Sequence, residues 1–315
     1  MASTPSRDPQ HEFVQHFMNP YKASGRLQIY DIYQNPNFTP EIIQETIDEY
    51  PRGVEDPDFR REYLCEVFVD EETTICPEFS ANKKYIVFND DNAPEMPDYR
   101  DFYVGMDIGR KDLTIALFGY YDFKEATLVI LDELVMNGPT MTTDGLVEGI
   151  KAKEKVRFYS EKTKEEYSAY LRVMDVDLGL QQDLKLLHGI SFITSKKDNK
   201  EGAINEMRMW VARNRIKIHE RCKHLIYHLE FGQWNDKRTD FKRMPDTPDK
   251  SVRGGHVDGI PALYYLIRNV QTSKNPFPFG YGFTKGPSTF MSPKLKHKSA
   301  TQAADFIKKV LKLEK

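Results

Sequence analysis

The sequence predicts an α/β protein whose mixed sheet begins as an antiparallel meander, continues in parallel strands and is flanked by helices. Two observations carry this. Three apolar runs, Phe102 to Ile108, Leu113 to Phe118 and Ala126 to Met136, follow one another across short polar turns, the pattern of adjacent antiparallel strands. From Thr142 onward helical and strand-like stretches alternate, which implies that the later strands are parallel. At 315 residues, with 39% hydrophobic and 12% aromatic content, the chain is long enough to bury a substantial core.

Taken in order, residues 1 to about 36 open with Ser3-Thr4-Pro5, a helix-like stretch from His11 to Met18 and a strand-like stretch from Leu27 to Ile32. A small domain does not normally begin this way, so the segment reads as the end of something larger. Thr39 caps a helix running to Tyr50, with Pro40 at its first position and Glu41 and Glu45 early in it, as the helix dipole favours. A second helix is expected from Asp56 to about Cys65, followed by an acidic stretch from Phe68 to Ile75. Asn89 to Arg100, rich in Asp and Pro, reads as a linker.

Beyond the meander, Thr142 or Thr143 caps a helix to about Tyr159, and Ala169 to Met174 is a strand ending at Asp175. Helices over Leu178 to His188, Lys200 to Arg213 and Arg221 to Glu230 then alternate with strands over Ile190 to Thr194 and Ile216 to His219. Gly232 to Gly255 breaks the periodicity as a long loop or hairpin, and long loops in compact domains are often functional. His256 to Val270 is a helix with Ile260, Leu263, Leu266 and Ile267 on one face; Pro261 belongs in its first turn, which puts Asp258 at the helix mouth. The tail from Asn275 is rich in Pro, Gly and aromatics, then basic, then amphipathic through Phe306, Val310 and Leu313. The expected divisions are thus 1–36, 37–98, a main domain over 99–272, and a basic tail over 273–315.

The net charge of -3 conceals a polarity. From Gln271 to Lys315 nine lysines face Asp305 and Glu314, a charge of +7 that suggests a negatively charged partner or a docking segment. Cys65, Cys76 and Cys222 are odd in number and lack CxxC spacing, so they read as reduced thiols of a cytosolic compartment. No apolar run approaches membrane-spanning length and no signal-like core opens the chain, so no membrane association is expected.

Three carboxylates share a description: Asp107 at the end of the first meander strand, Asp175 at the end of the fourth strand, and Asp258 at the start of the last helix. In an α/β sheet the ends of neighbouring strands meet at one edge, where ligands sit. Clustered carboxylates repel one another, and a hard cation with oxygen ligands, Mg²⁺ or Mn²⁺, is the usual resolution. Two such ions can activate a water and stabilise a leaving oxygen in phosphodiester cleavage. Each Asp also has a plainer reading, as a turn residue for Asp107 and an N-cap for Asp258.

This order of elements resembles the RNase H-like nuclease fold, and the residues point to one branch of it. Phe-Arg-Arg-Glu-Tyr-Leu-Cys-Glu-Val-Phe (59 to 68), Val-Gly-Met-Asp-Ile-Gly-Arg-Lys-Asp-Leu-Thr (104 to 114), Arg-Val-Met-Asp (172 to 175) and His-Val-Asp-Gly-Ile-Pro-Ala-Leu-Tyr-Tyr-Leu (256 to 266) together resemble the large terminase subunit of tailed bacteriophages over about residues 1 to 270. The resemblance implies a nuclease that cuts concatemeric viral DNA during genome packaging, working with double-stranded DNA, a terminase small subunit and a portal protein in the host cytoplasm. Ser3-Thr4-Pro5 resembles the family's ATPase coupling motif, which would make residues 1–36 the last piece of an ATPase domain. The chain has no GxxxxGK[ST] loop, so ATP hydrolysis by this chain alone is not expected. It reads as a piece of a longer protein or one product of a split gene.

Carried over by residue, the resemblance makes Asp107, Asp175 and Asp258 the catalytic, metal-binding triad for two ions, Mg²⁺ or Mn²⁺. Asp112 matches an auxiliary acidic position and His256 a histidine beside the last Asp. Asp177 competes with Asp175, which is preferred because it follows Val173-Met174 directly. The family's last motif usually reads Asp-Ala-Leu-Arg-Tyr, whereas Asp258-Gly-Ile-Pro-Ala-Leu-Tyr-Tyr stands here, which leaves the helix start open. For DNA, Lys196, Lys197 and Lys200, with Lys237, Arg238, Lys242, Arg243, Lys250 and Arg253, are candidates to grip phosphates, although mixed-sign loops are more often simply solvated. Two other readings compete. One is a non-catalytic DNA-packaging adaptor; the other is an actin- or sugar-kinase-like ATPase suggested by Asp107-Ile-Gly, disfavoured because Gly254-Gly255 is the one Gly-Gly pair and sits in a charged loop.

Overall fold

The computed structural model describes residues 5, 11–67, 73–160, 164–195, 198–235, 237–247 and 251–277. The chain begins with a π-type turn over Phe13–Met18 that passes into α1 (Asn19–Ala23), followed by α2 (Pro40–Asp48), α3 (Pro57–Tyr63), α4 (Pro77–Ile86) and β1 (Val87–Phe88). The meander is β2 (Arg100–Asp107), β3 (Leu113–Asp122) and β4 (Thr127–Asn137). Then come α5 (Thr143–Arg157), the small hairpin β5 (Tyr159–Ser160) with β6 (Glu165–Glu166), β7 (Leu171–Met174), α6 (Leu178–His188), β8 (Ile193–Thr194), α7 (Lys200–Ala212), β9 (Ile216–His219), α8 (Lys223–Phe231) and α9 (Gly259–Asn269).

Seven strands form the main sheet in the order β1-β9-β4-β3-β2-β7-β8. β3 is antiparallel to both β2 and β4, and every other neighbouring pair is parallel. Its centre, a three-strand meander extended by parallel β7 and β8, is the RNase H-like mixed sheet that the sequence predicts. Because side chains alternate across a strand, the sheet feeds two cores. Tyr103, Ile115, Leu117, Ile130, Val173 and Ile218 point to one face, which α4, α7, α8 and α9 cover. Phe102, Val104, Met106, Phe118 and Met174 point to the other, which α5, α6 and Phe158 cover. Leu131 is the extra residue of a bulge opposite Phe118 and Gly119, which resets the phase of β4 beyond it.

Local signals set the helix starts. Thr39, Asp56, Thr142, Asp177 and Asn199 each accept a backbone N–H from the first turn of the helix that follows. Two readings need correction. The strand expected over Leu27 to Ile32 does not form: Asp31 accepts the Gln34 N–H and folds Ile32–Gln34 into a short 3₁₀ turn, while Tyr30 is 69% exposed and has no face to bury. The stretch read as a linker is one only up to Tyr99, because Arg100 already pairs with Asp122. α4 and β1 were not foreseen. Val87 and Phe88 pair with Ile218 and His219, so the sheet reaches back twelve residues before the expected start at 99. Residues 1–275 group as one compact unit and 276–315 as a second, of which only 276 and 277 are described.

The packing that positions the functional edge is that of α9 on β2. A Cβ on Gly105 would lie 2.4 Å from Leu266 Cγ and 2.6 Å from the Ala262 carbonyl oxygen, so only glycine lets the helix backbone approach the strand this closely. Gly105→Ala is expected to lower stability by about 1–3 kcal/mol, the range of overpacked cores, because a backbone carbonyl cannot yield as a side chain can. A reduced urea midpoint at unchanged denaturant slope would show it.

Candidate metal centre at the carboxyl edge of the sheet

Six of the seven strands point their C-terminal ends to the same edge, and Asp107 is the last residue of β2. Met106 pairs in register with Met174, and the next residue, Asp175, donates its N–H to the Met106 carbonyl at 3.3 Å. Asp107 therefore continues the row of Tyr103 and Gly105, and Asp175 the row of Val173, on the face that α9 covers. The N-terminus of α9 brings Asp258 to that place. These three carboxylates, with Asp112 and His256, line one cavity of about 620 Å³. Ile108 to Lys111, Val176, Asp177, Lys200, Ala203, Phe241, Pro261, Tyr264, Tyr265 and Arg268 complete its wall.

Asp258 is 3% exposed and Asp107 8%, so both are largely removed from water. Although Asp258 occupies the N-cap position of α9, its side chain does not cap the helix. The Gly259 N–H is instead accepted by Nδ1 of the buried His228 at 3.1 Å. A Cβ on Gly259 would stand 2.9 Å from that nitrogen, so glycine permits the contact. Relieved of capping, Asp258 bonds His256 Nδ1 through Oδ1 at 3.0 Å, while Oδ2 is buried with no hydrogen-bond partner among the described residues. Burial raises the Asp258 carboxyl above the usual carboxylate range despite the opposing bond to His256. That same bond raises His256, outweighing its own burial.

The other acids are turned toward protein partners. Asp175 accepts the Val176 N–H at 2.5 Å. Both oxygens of Asp112 are gripped by the Arg243 guanidinium, one bond measuring 2.9 Å, and this fork holds its carboxyl low. Asp177 is occupied structurally: it caps α6 through the Leu180 N–H at 3.1 Å and pairs with Arg110. Burial pushes Asp177 up, but these bonds outweigh it and its carboxyl lies low.

Among the described residues, no three His, Cys, Asp or Glu side chains stand close enough to enclose an ion as they are oriented. The donor set fits a hard cation in its chemistry: carboxylate oxygens from three separate elements, one of them buried and unsatisfied. Enclosing an ion requires Asp175 to turn from Val176, and would require Asp112 to leave Arg243 if it joined.

The basic candidates divide. Lys200 opens α7, lies at the cavity, bonds Asp240 at 2.8 Å and sits 4.0 Å from the Phe241 ring centroid. The described residues between 233 and 255 are bridged, Trp234 opposite Phe241 and Met244 opposite Gly255, and bring Phe241 to the cavity wall. Lys237 and Arg238 are exposed near its tip, Lys242 reaches Gln233, and Arg243 lies on Asp112. Arg253 borders a separate cavity beside His224. Lys196, Lys197 and Lys250 lie outside the described residues. Sequence reasoning passed over Arg110, Lys111, Arg268, Tyr264 and Tyr265 at the cavity; the cations of Ile108-Gly-Arg-Lys-Asp112, directly after Asp107, were the available signal. Burial raises the Tyr264 phenol to about 12 and Tyr265 further, so both present neutral hydroxyls there.

A second cavity, of about 840 Å³, lies where β4 and β9 reach the same edge. Its charges are internally matched: Lys153 and Arg157 of α5 hold the buried Asp132 at 2.7 and 2.6 Å, and Glu133 accepts the His224 and Leu225 N–H groups that open α8. These contacts fasten helices to β4 and leave no buried acid in the group without an answering charge or donor.

No protein-family model matches the chain, and no curated protein does. Solved structures similar to it include large terminases and their nuclease domains. A large terminase from a thermophilic bacteriophage is 16% identical over 85% of this chain and 60% of its own, with a TM-score of 0.47. The P22 large terminase nuclease domain is 12% identical over 62% of this chain and 93% of its own, with a TM-score of 0.44. The large terminase nuclease from thermophilic phage G20c with bound magnesium is 15% identical over 64% and 99%, with a TM-score of 0.40. The chain thus spans about 60% of the length of the whole large terminase it is similar to.

The His228 contact has a pH signature. Full burial lowers the imidazole to about 3, so it stays neutral in the folded protein while the unfolded chain takes up a proton below about 6.5. Its contribution to stability is fully present above about pH 6.5 and is lost as pH falls toward 3. Melting temperatures across this window should fall less steeply for His228→Gln than for the parent protein.

Proposed function

We propose that this chain is a metal-dependent DNA endonuclease of the large-terminase type, cutting concatemeric viral DNA in the host cytoplasm during genome packaging. The observation that carries the reading is the convergence of Asp107, Asp175 and Asp258 from three elements onto one cavity, with a buried Asp258 oxygen left unsatisfied. Such an oxygen is costly to bury and is answered by a cation. Two Mg²⁺ or Mn²⁺ ions held by these carboxylates would supply activation of an attacking water and neutralisation of charge on the phosphate. His256 orients Asp258 through Nδ1, and His228 keeps Asp258 free by taking the Gly259 amide. Arg110, Lys111, Lys200 and Arg243 ring the cavity mouth, where cations position a DNA backbone without reading sequence. Phe241, Tyr264 and Tyr265 give the cavity an aromatic lining.

Double-stranded DNA, a terminase small subunit and a portal protein are the partners this reading entails, with the motor's ATP hydrolysis supplied from outside these residues. Among the described residues no helix is long and apolar enough to cross a membrane.

Supercoiled plasmid incubated with the purified chain should be nicked and linearised with Mg²⁺ or Mn²⁺ and left intact in EDTA. Asp107→Ala and Asp258→Ala should each lose about 100-fold or more, since they remove ion ligands rather than supports. Metal-independent cleavage, or an active Asp107→Ala, would sink the reading; a folded protein that never cuts would favour the packaging-adaptor reading.

Asp175→Ala should abolish cleavage, whereas Asp177→Ala should cost about 1 kcal/mol of stability through the lost α6 cap and leave metal-dependent cutting in place. Asp177→Ala eliminating cleavage at unchanged stability would reverse the assignment. Arg243→Ala should weaken DNA binding across sequences and reduce the slope of log affinity against log salt by about 1.

A further inference from the structure

Ser195 follows β8, and its backbone N–H donates to the Met174 carbonyl at 2.8 Å, as Asp175 donates to Met106. Val173 pairs with Ile193 and Met174 with Thr194, so Asp107, Asp175 and Ser195 stand in one row across β2, β7 and β8, each one step beyond a paired residue or at its end. By strand alternation the three belong to the face beneath α9 and α7. Ile193 and Thr194 are exposed, yet Ser195 is only 2% exposed. Its Oγ is buried without a hydrogen-bond partner among the described residues, the same condition as Asp258 Oδ2 at this edge. A buried hydroxyl that nothing satisfies is rare in native proteins and calls for an explanation by function.

We infer that Ser195 is a positioning residue for the metal centre, donating its hydroxyl to the Asp175 carboxylate and so holding that side chain toward Asp107 and Asp258. Asp175 is the acid that must turn, since its Oδ1 lies on its own neighbour's N–H. A carboxylate that ligates an ion is ordinarily held by a further hydrogen bond, and loss of such a support lowers metal affinity. Ser195 lies outside the cavity wall, so it acts through Asp175 and needs no contact with the ion or DNA. The inference rests on the metal-dependent reading of the same site.

The test is calorimetric titration of the purified protein with Mn²⁺ alone, for the parent chain, Asp107→Ala, Ser195→Ala and Ser195→Thr, with melting curves of each in EDTA. The expected result is Mn²⁺ affinity about 10-fold weaker in Ser195→Ala and close to the parent value in Ser195→Thr, with the EDTA melting temperature of Ser195→Ala unchanged. Parent-like affinity in Ser195→Ala would overturn the inference. So would equal weakening in both variants, which would make packing rather than the hydroxyl responsible. A lowered EDTA melting temperature in Ser195→Ala would also overturn it, because the hydroxyl would then have a structural partner without metal. If the parent chain itself binds no Mn²⁺, the nuclease reading fails first, and Asp107→Ala matching the parent distinguishes that case.

Discussion

The contact between α9 and β2 governs what the rest of the edge can do. Glycine at position 105 removes the side chain that would hold the helix away, and the helix then carries Asp258 down to the end of the strand that presents Asp107. A helix start so deeply buried must find acceptors for its amide groups, and the obvious one would be the Asp258 side chain. His228 takes the Gly259 amide in its place. One histidine buried in its neutral form thus separates two roles that a single aspartate would otherwise combine.

Electrostatics at the cavity follow from this separation. Burial raises the Asp258 carboxyl, and the neighbouring charge of Asp112 adds to it. The surrounding cations are placed unevenly. Arg243 and Arg110 are committed to Asp112 and Asp177 as guanidinium pairs, whereas Asp258 is held by the His256 Nδ1 bond and the Leu113 backbone, and burial still raises its carboxyl. Asp112 and Asp177 are therefore answered by arginines, and Asp258 by an imidazole.

The second cavity at the same edge is instructive by contrast. Asp132 is as buried as Asp258, but Lys153 and Arg157 answer both of its oxygens and hold its carboxyl low against the push of burial. Glu133, one residue on and across the sheet, is spent on the opening amides of α8. Similar residue types at neighbouring strand ends thus serve as fasteners in one place and as an unsatisfied acid in the other. Composition does not separate these roles; the partners do.

The meander and the alternating helices and strands were legible because their apolar residues repeat with periods of two or about three and a half, which is a local property. The position of Asp107 at a strand end, and of Asp258 at a helix mouth behind Pro261, followed from the same patterns. α4 and β1 escaped because a two-residue strand has no period to detect and exists only through its pairing with β9, 131 residues away at Val87 and Ile218. Leu27 to Ile32 had the composition of a strand but no partner face, and Asp31 offered its backbone a local turn instead. The choice between Asp175 and Asp177 could not be made by spacing, since both alternate to the same side; Arg110 and the Leu180 amide claim Asp177 only once β7 and the β2–β3 turn lie together. Sequence alone therefore determined which residue types stand at the ends of which elements, because that is set by short-range periodicity. Which acids are paired, which one is left unsatisfied and which hydroxyl lies beside them were decided by tertiary structure, because partners distant in the chain supply or withhold the answering charge.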